Sequence, residues 1–271
     1  MSQGTAAGLL PVNMLWIGGT LGWIEQLSLR SFLAHGHPVR LFTYGPVGKI
    51  PEGVETRDGR EILPLETIEG NRYANGSYAL ASNLFRYALL ARNAGLWADI
   101  DVICVRPIRI DAPVIVGWEN EQSLNGAVLY WRHDLAIAAE AVDAFRPGHV
   151  PNWLALRKRI GPLLRQMAGA RISPRDLPHG TFGPKEVTAL IKRHGLIHLA
   201  EAPEVFYPLA PKQAMEAFAP SLRYEDIVTP RTLTVHLWNE KLGTRKKTPP
   251  DRGSLLDTLL EKTGLSIDPS T

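Results

Sequence analysis

The stretch GLWADIDVICVRP, Gly95 to Pro107, contains two aspartates one residue apart beside an apolar segment. Asp99 and Asp101 precede VICV, whose apolar run predicts a buried strand that Pro107 ends. In an extended segment the side-chain period of two would direct both carboxylates to the same face. Like charges so close raise each other's pKa unless a cation neutralises them. The pair therefore indicates either a solvated turn or half of a metal site.

A hard divalent cation is the natural partner for such a pair, because Mg²⁺ and Mn²⁺ prefer carboxylate oxygens. These ions commonly bind together with a substrate diphosphate, which occupies their open coordination positions. The sequence predicts that a helix ends at Gly95 and that a buried strand begins directly after Asp101. This context favours the metal site over the turn.

Composition limits the class of protein. The chain has 271 residues, of which 45% are hydrophobic, and this is enough for a substantial core. The net charge of +3, from 30 basic and 27 acidic residues, is too small to indicate nucleic-acid binding. Part of the basic excess is local, at Lys241, Arg245, Lys246 and Lys247. This cluster is interpreted as a solvated tail, with contact to an anionic acceptor or a membrane surface as the alternative.

The single cysteine, Cys104, lies within the apolar run and is expected to be a buried thiol. It allows no disulfide within the chain, which fits a reducing compartment. The beginning of the sequence, MSQGTAAGLLPVNM, lacks the basic and apolar regions of a signal peptide. No apolar run approaches the roughly 20 residues needed to span a bilayer. We expect a cytoplasmic protein, with peripheral membrane contact left open.

The first 44 residues predict a strand, a helix and a second strand, at 12–17, 21–37 and 38–44. This order is typical of an α/β domain with a parallel sheet, whose ligand crevice lies at the carboxyl ends of the strands. Further helices are predicted at 77–95, 134–145 with Asp134 as N-cap, 153–167 with a break near Pro162, 184–195 and 254–264. Further strands are predicted at 62–65, 102–105, 113–118, 124–132 and 232–238.

Four polar or aromatic side chains could add to a metal and diphosphate site. Asn83 and Arg86 share one face of the helix at 77–95, where the guanidinium could hold a phosphate or a sugar hydroxyl. The alternative is an ordinary solvated helix face. His236 could supply a further metal ligand or be a structural histidine of its strand. Trp16, beside a Gly-Gly turn, could belong to the core or stack on a nucleobase.

Four segments together carry a resemblance to a known family: LWIGG, ASNLFRYALLARNAGLWADIDV, LNGAV and HLWN, in this order between residues 12 and 240. They resemble the DXD-containing sugar transferases of glycosyltransferase family 32. That grouping includes initiating α-mannosyltransferases, and it is similar to α-1,4-galactosyltransferases and to the glucosylating clostridial toxins. The helix followed by the DXD motif is the specific part of the resemblance.

The resemblance implies a GT-A-like, Rossmann-like single α/β domain with a mixed, mainly parallel sheet flanked by helices. We expect this domain at residues 1–247 and a tail with a short helix at 248–271. The implied activity is transfer of a hexose from a UDP- or GDP-sugar to a saccharide or glycolipid hydroxyl, with retention, in polysaccharide or glycolipid assembly. Mn²⁺ or Mg²⁺ would be the cofactor, and no nucleic acid would be a partner.

The resemblance also assigns roles to individual residues. The metal ligands would be Asp99, Asp101 and His236. The catalytic residues would be Asp99, Asp101 and Arg86. The donor would be bound by Trp16, Ser82, Asn83, Arg86, Asp99, Asn125 and Trp238. The chain departs from the family where Ser82-Asn83 replaces Ser-Asp, which removes one charge, and where Ala94-Gly95-Leu96-Trp97 replaces Gly-Gly-X-Tyr.

Two other functions remain open from the sequence. DIDVI also looks like the nucleophile motif of haloacid-dehalogenase-type phosphatases, in which Asp99 would attack phosphate. That motif should end a buried strand, whereas a helix is predicted before Asp99, and no acidic pair follows downstream. A non-catalytic module that binds a nucleotide-sugar is the other alternative, since Asn83 departs from the family pattern.

Overall fold

The structure is a computed structural model that describes residues 9–132 and 134–267. The first eight residues, part of the segment expected to lack a signal peptide, and the last four of the predicted tail lie outside the described residues. The strands in the described part of the chain are β1 Val12–Trp16, β2 Val39–Thr43, β3 Val54–Asp58, β4 Leu96–Ala98, β5 Val102–Cys104, β6 Val114–Asn120, β7 Ser123–Trp131 and β8 Thr234–His236.

Helices fill most of the intervening segments. They are α1 Trp23–Ala34, α2 Leu65–Gly70, α3 Ala79–Ala91, α4 Ile137–Asp143, α5 Leu156–Met167, α6 Pro184–Arg193, α7 Pro203–Phe206, α8 Tyr224–Ile227, α9 Asn239–Leu242 and α10 Leu255–Thr263. The predicted strand–helix–strand beginning is confirmed by β1, α1 and β2, and the predicted strand before His236 is confirmed by β8.

The described residues form two compact units, the first from residues 9–57, 98–111 and 202–267, the second from 58–97 and 112–201. In the first unit β1 and β2 are parallel, and β5 and β8 are antiparallel. In the second unit β6 and β7 are antiparallel, and β4 neighbours β7. The predicted α/β class, a mixed and mainly parallel sheet flanked by helices, is confirmed. The domain limits 1–247 and 248–271 stay a prediction.

Helix α1 holds the strand that follows the aspartate pair. The Ser28 hydroxyl donates a hydrogen bond to the Val102 carbonyl at 2.6 Å, and the Ser31 hydroxyl accepts one from the Cys104 amide at 2.8 Å. Both serines are fully buried, so these bonds form away from water, where leaving either partner unpaired would be costly. Burial raises the pKa of the Cys104 thiol to about 12, which confirms the expected buried and unreactive cysteine.

In the second unit, the recurrence of Leu80, Leu84, Tyr87 and Ala91 at four- and three-residue spacing predicts one apolar face on α3. Leu80, Leu84 and Tyr87 are buried, while Ala91, at the last turn of the helix, is exposed. The Tyr87 hydroxyl donates to the Phe182 carbonyl at 3.0 Å. The helix therefore follows the four- and three-residue spacing over most of its length.

Three details of the predicted elements are wrong. No strand forms at residues 62–65; the strand of this region is β3, and α2 begins at Leu65. Helix α5 continues through Pro162 because the helix is exposed, so water can satisfy the carbonyl that loses its partner. Asp134 does not cap α4; its carboxylate accepts a hydrogen bond from Arg132 at 2.6 Å, and the N-cap is Ala136. The strand β4 was not predicted at all.

Glu186 in α6 is fully buried beside Tyr87. Burial raises the pKa of its carboxyl well above the ordinary value, and the nearby Tyr87 hydroxyl offsets only part of the rise. The unfolded chain loses this proton near its ordinary pKa while the native state keeps it. The free energy of unfolding should therefore fall as the pH rises from the unfolded pKa toward the raised native value.

Replacing Glu186 with glutamine should remove this pH dependence, because the amide is neutral at every pH and has nearly the same shape. Urea unfolding at pH 5 and pH 8 should show a smaller loss of unfolding free energy for Glu186→Gln than for the wild type. Exposed Glu121→Gln serves as the matched control and should keep the wild-type difference. Equal pH dependence in all three proteins would contradict the prediction.

Candidate functional site

Asp99 and Asp101 lie in a tight turn directly before β5. The Val102 amide donates a hydrogen bond to the Asp99 carbonyl at 3.0 Å, which closes the four-residue turn. Neither aspartate belongs to a strand, so the expectation that strand periodicity aligns them is wrong. The turn itself brings the two carboxylates to one site. The two interpretations, a turn and a metal site, are therefore compatible.

His236 reaches this turn through strand pairing. Strand β8 runs antiparallel to β5 with His236 opposite Val102, one residue beyond Asp101. The Leu237 amide donates to the Asp101 carbonyl at 3.0 Å and extends the pairing past the end of β8. The imidazole Nε2 of His236 consequently lies 3.3 Å from Oδ1 of Asp101.

The Asp101 carboxylate is kept ionised although it is only 9% exposed. Burial by itself raises its pKa, but the charge and hydrogen bond of His236 and the amide of Asn239 outweigh burial and lower the pKa below its ordinary value. The Asn239 amide donates to Oδ2 at 2.8 Å. A buried, ionised carboxylate is the form that a cation requires as a ligand.

The residues present fit a divalent cation. One ligand atom from each of Asp99, Asp101 and His236 lies within 4.8 Å of the other two. Two carboxylates and an imidazole suit Mn²⁺ or Mg²⁺, and three protein ligands leave positions for water or substrate oxygens. No other carboxylate, cysteine or histidine completes such a group in residues 9–132 and 134–267. The three residues that the sequence predicts as ligands are thus brought together.

Trp238 packs against the ring of His236. Its ring centroid lies 4.0 Å from that of His236, and its indole N–H donates to the Leu209 carbonyl at 2.8 Å. Its backbone is left-handed, with φ 57° and ψ 53°, which is uncommon for a bulky residue. This conformation turns the chain after β8, so that the next amide, that of Asn239, reaches Asp101. Donor binding by Trp238 stays a prediction.

Glu25 is a site residue that the sequence analysis missed. It lies in the first turn of α1, is buried, and accepts a hydrogen bond from the side-chain amide of Asn239 at 2.9 Å. A Cβ added at Gly22 would lie 2.6 Å from its Oε2, so a side chain there would displace the carboxylate from this position. A charged residue beside Ile24 on the apolar side of the helix was the signal that could have identified it.

Glu25 also lines a cavity of about 670 Å³ within the first unit. Trp16, at the end of β1, forms part of the wall, and its indole N–H donates to the Gly19 carbonyl at 3.3 Å. A Cβ at Gly18 would be 3.2 Å from the Trp16 ring, so the glycine lets the backbone lie close to that ring. Trp16 is therefore not a core residue, although its stacking on a base stays a prediction.

The basic cluster near residue 245 belongs to this cavity. Lys246 and Lys247 line the cavity together with Lys49, and the Lys246 carbonyl accepts a hydrogen bond from the Trp23 indole at 2.7 Å. Arg245 lies 4.4 Å from the Phe218 ring centroid. The interpretation as a solvated tail is therefore wrong for this segment, because packing against aromatic rings holds it in place.

Arg86 lies in the second unit and is buried, so its interpretation as part of a solvated helix face is wrong. Its Nη1 donates to the Gly126 carbonyl at 2.6 Å, and its guanidinium lies 5.2 Å from the Trp97 ring centroid. A Cβ at Gly126 would be 2.7 Å from Nη1, so a side chain there would displace the guanidinium from this position. Its contact with a donor stays a prediction.

The other residues of the second unit that are predicted to bind the sugar donor also contact neighbouring parts of the chain. The Asn125 side chain donates to Glu119 at 2.8 Å and accepts from the Ala127 amide at 2.7 Å. Ser82 and Asn83 are half-buried on α3, and Asn83 lies beside Gly183, where an added Cβ would be 3.3 Å from its Nδ2. The roles assigned to Ser82, Asn83 and Asn125 stay predictions.

No family model and no curated protein matches the chain. Among solved structures, the chain is similar to the PaToxG glycosyltransferase, with 13% sequence identity over 69% of this chain and 70% of that chain, and a TM-score of 0.42. This similarity is too low to indicate a function for the chain. None of the helices in the described part of the chain is long and apolar enough to cross a membrane.

Replacing a metal ligand should weaken cation binding without unfolding the chain. We expect Asp101→Asn to lower the Mn²⁺ affinity by more than the roughly 10–100-fold loss typical of residues that only support a ligand, because a direct ligand loses its charge. Calorimetric titration with Mn²⁺ measures the change. The exposed Asp111→Asn is the matched control and should bind Mn²⁺ as the wild type does. Unchanged affinity in Asp101→Asn would show that the cation binds elsewhere.

Proposed function

We propose that this chain is a metal-dependent glycosyltransferase that moves a hexose from a nucleoside diphosphate sugar to a hydroxyl of a saccharide or glycolipid, with retention. One observation carries the proposal. The cluster of Asp99, Asp101 and His236 is joined by hydrogen bonds, through Asn239 and Glu25, to the cavity that Trp16 lines. A cation site and a nucleotide-sized cavity on one hydrogen-bonded network are what such a donor requires.

The chemistry of the cavity supports a nucleotide as its ligand. The Trp16 ring offers an aromatic face on which a base can stack. Lys49, Lys246 and Lys247 supply positive charge to complement phosphates. The volume of about 670 Å³ falls in the range of small-molecule sites, roughly 300–1,000 Å³.

In the proposed mechanism, Asp99, Asp101 and His236 hold Mn²⁺ or Mg²⁺. A cation bound there would supply Lewis-acid stabilisation of the diphosphate leaving group. His236 and the Asn239 amide keep Asp101 ionised, and Asn239 is itself held by Glu25, so the ligands are oriented before the donor binds. The C1–O bond to the diphosphate breaks, the acceptor oxygen bonds to C1 on the same face, and the acceptor proton passes to the diphosphate.

One structural observation supports the phosphatase alternative. Strand β4 ends at Ala98, directly before Asp99, so the expectation that no strand precedes the motif is wrong. The transferase is still favoured because the ligand group contains a histidine, His236, and no third carboxylate among the described residues. Detection of a phosphoryl group on Asp99 by mass spectrometry, after reaction with a phosphomonoester, would favour the phosphatase.

A donor panel tests the proposed activity. Incubation with UDP- and GDP-hexoses and Mn²⁺ should release nucleoside diphosphate from at least one donor, and Asp101→Ala should abolish the release because the cation loses a direct ligand. Asp111→Ala, exposed and outside the site, should keep the wild-type rate. Full turnover by Asp101→Ala with intact metal dependence would falsify the mechanism. Binding of a donor without turnover, across several acceptors, would favour the non-catalytic module.

Trp16 allows the nucleotide assignment to be tested separately from the chemistry. Trp16→Ala should raise the KM for the donor by at least about fivefold, because stacking on an aromatic side chain stabilises a bound base by about 1–3 kcal/mol. Trp16→Phe keeps an aromatic face and should lose less. If the alanine and phenylalanine variants have the wild-type KM, the base does not stack on Trp16.

A further inference from the structure

Helix α5, Leu156–Met167, covers no core. None of its residues is buried. Four of its apolar side chains are largely exposed, Leu156 at 67%, Ile160 at 48%, Leu164 at 59% and Met167 at 84%. These four are among only six large apolar side chains that are exposed in residues 9–132 and 134–267. The exposed apolar surface of the described chain is therefore concentrated on one helix.

The four side chains form a single stripe, called here the α5 stripe. They are spaced by four, four and three residues, and at 3.6 residues per turn this spacing places them within an arc of about 80°. Such a stripe normally faces a protein core. A stripe exposed over three turns marks an interaction site, because monomeric soluble proteins rarely leave contiguous apolar surface uncovered.

The polar face of α5 is strongly basic. Arg157 and Arg159 flank the stripe on its two sides, and Lys158 and Arg165 lie on the opposite face. The helix contains no acidic residue, and none occurs between residues 147 and 175. Arg171 and Arg175, which follow the helix, add to the same local charge. Whatever covers the stripe must therefore tolerate a high density of positive charge.

We propose that α5 is a membrane-binding helix, which lies in the plane of an anionic lipid surface with the α5 stripe inserted among the acyl chains. An apolar stripe flanked by arginines is the pattern of interfacial helices, in which long basic side chains reach back to the headgroups. A second copy of the chain would place like charges against one another. A nucleic acid would leave the stripe exposed to water. An anionic bilayer would bury the apolar stripe among its acyl chains and attract the basic side chains with its headgroups.

The proposal goes beyond the transferase activity, since α5 contributes no residue to the metal cluster or to the cavity. The helix would bring the chain to a surface where lipid-linked hydroxyls are concentrated. Loss of membrane binding and loss of sugar transfer to a soluble acceptor are therefore separate outcomes.

Vesicle co-sedimentation tests the proposal. The whole chain should sediment with vesicles that contain phosphatidylglycerol and stay in solution with vesicles of phosphatidylcholine alone. Binding should weaken as salt is raised, since screening shortens the range of the attraction. Equal binding to both kinds of vesicle, or to neither, would overturn the proposal.

Variants separate the stripe from the charge. Ile160→Gln/Leu164→Gln, which leaves the charge unchanged, should abolish sedimentation, while Met215→Gln, at an exposed methionine outside α5, should leave it unchanged. Arg157→Gln/Arg159→Gln should lower the partition coefficient about fivefold for each charge removed. The charge-matched control is Lys185→Gln/Lys192→Gln, on exposed positions of α6, and should lose much less.

Because every substituted side chain is at least partly exposed, all these variants should fold, which circular dichroism and donor turnover in solution verify. Wild-type sedimentation by the stripe variant would overturn the proposal. So would a concentration-dependent dimer that the stripe substitutions dissociate, since a second copy would then cover the stripe. Binding to duplex DNA that the stripe variant retains in full, without lipid binding, would assign the charge to nucleic acid instead.

Discussion

The antiparallel pairing of β5 with β8 is the constraint on which the candidate site depends. It spans three residues on each strand, yet it brings Asp101 to within hydrogen-bond distance of Asn239, 138 positions later in the sequence. The pairing is held from one side by Ser28 and Ser31 of α1. A buried carboxylate, an imidazole and a helix N-terminus thus meet because two short strands share an edge. Without that edge, the aspartate pair would be an ordinary surface turn.

Much of the fold could be predicted from the sequence because long elements repeat their pattern. Helix α3 was identified from the spacing of Leu80, Leu84 and Tyr87. Strand β4 could not be predicted, since three residues are too few to show a period. The continuation of α5 through Pro162 could not be predicted either, because it depends on the exposure of the helix, which is a tertiary property.

The residues of the candidate site were likewise predicted only in part from the sequence. Asp99, Asp101 and His236 were identified from residue types that suit a cation and from the order of the motifs. Glu25 and Asn239 were missed, because a supporting hydrogen bond links residues distant in sequence and leaves no local pattern. The burial of Arg86 could not be predicted for the same reason, because the Gly126 carbonyl that accepts its guanidinium N–H lies 40 positions later in the sequence.

The single cysteine has a practical consequence. Cys104 is buried, and its thiol would ionise only near pH 12, so at neutral pH the chain presents almost no thiolate to an alkylating reagent. A cysteine introduced at an exposed position would therefore react alone, without prior removal of the native one. The protein is thus naturally suited to attachment of one fluorophore or spin label, through which its movements between water and other surroundings can be followed in real time.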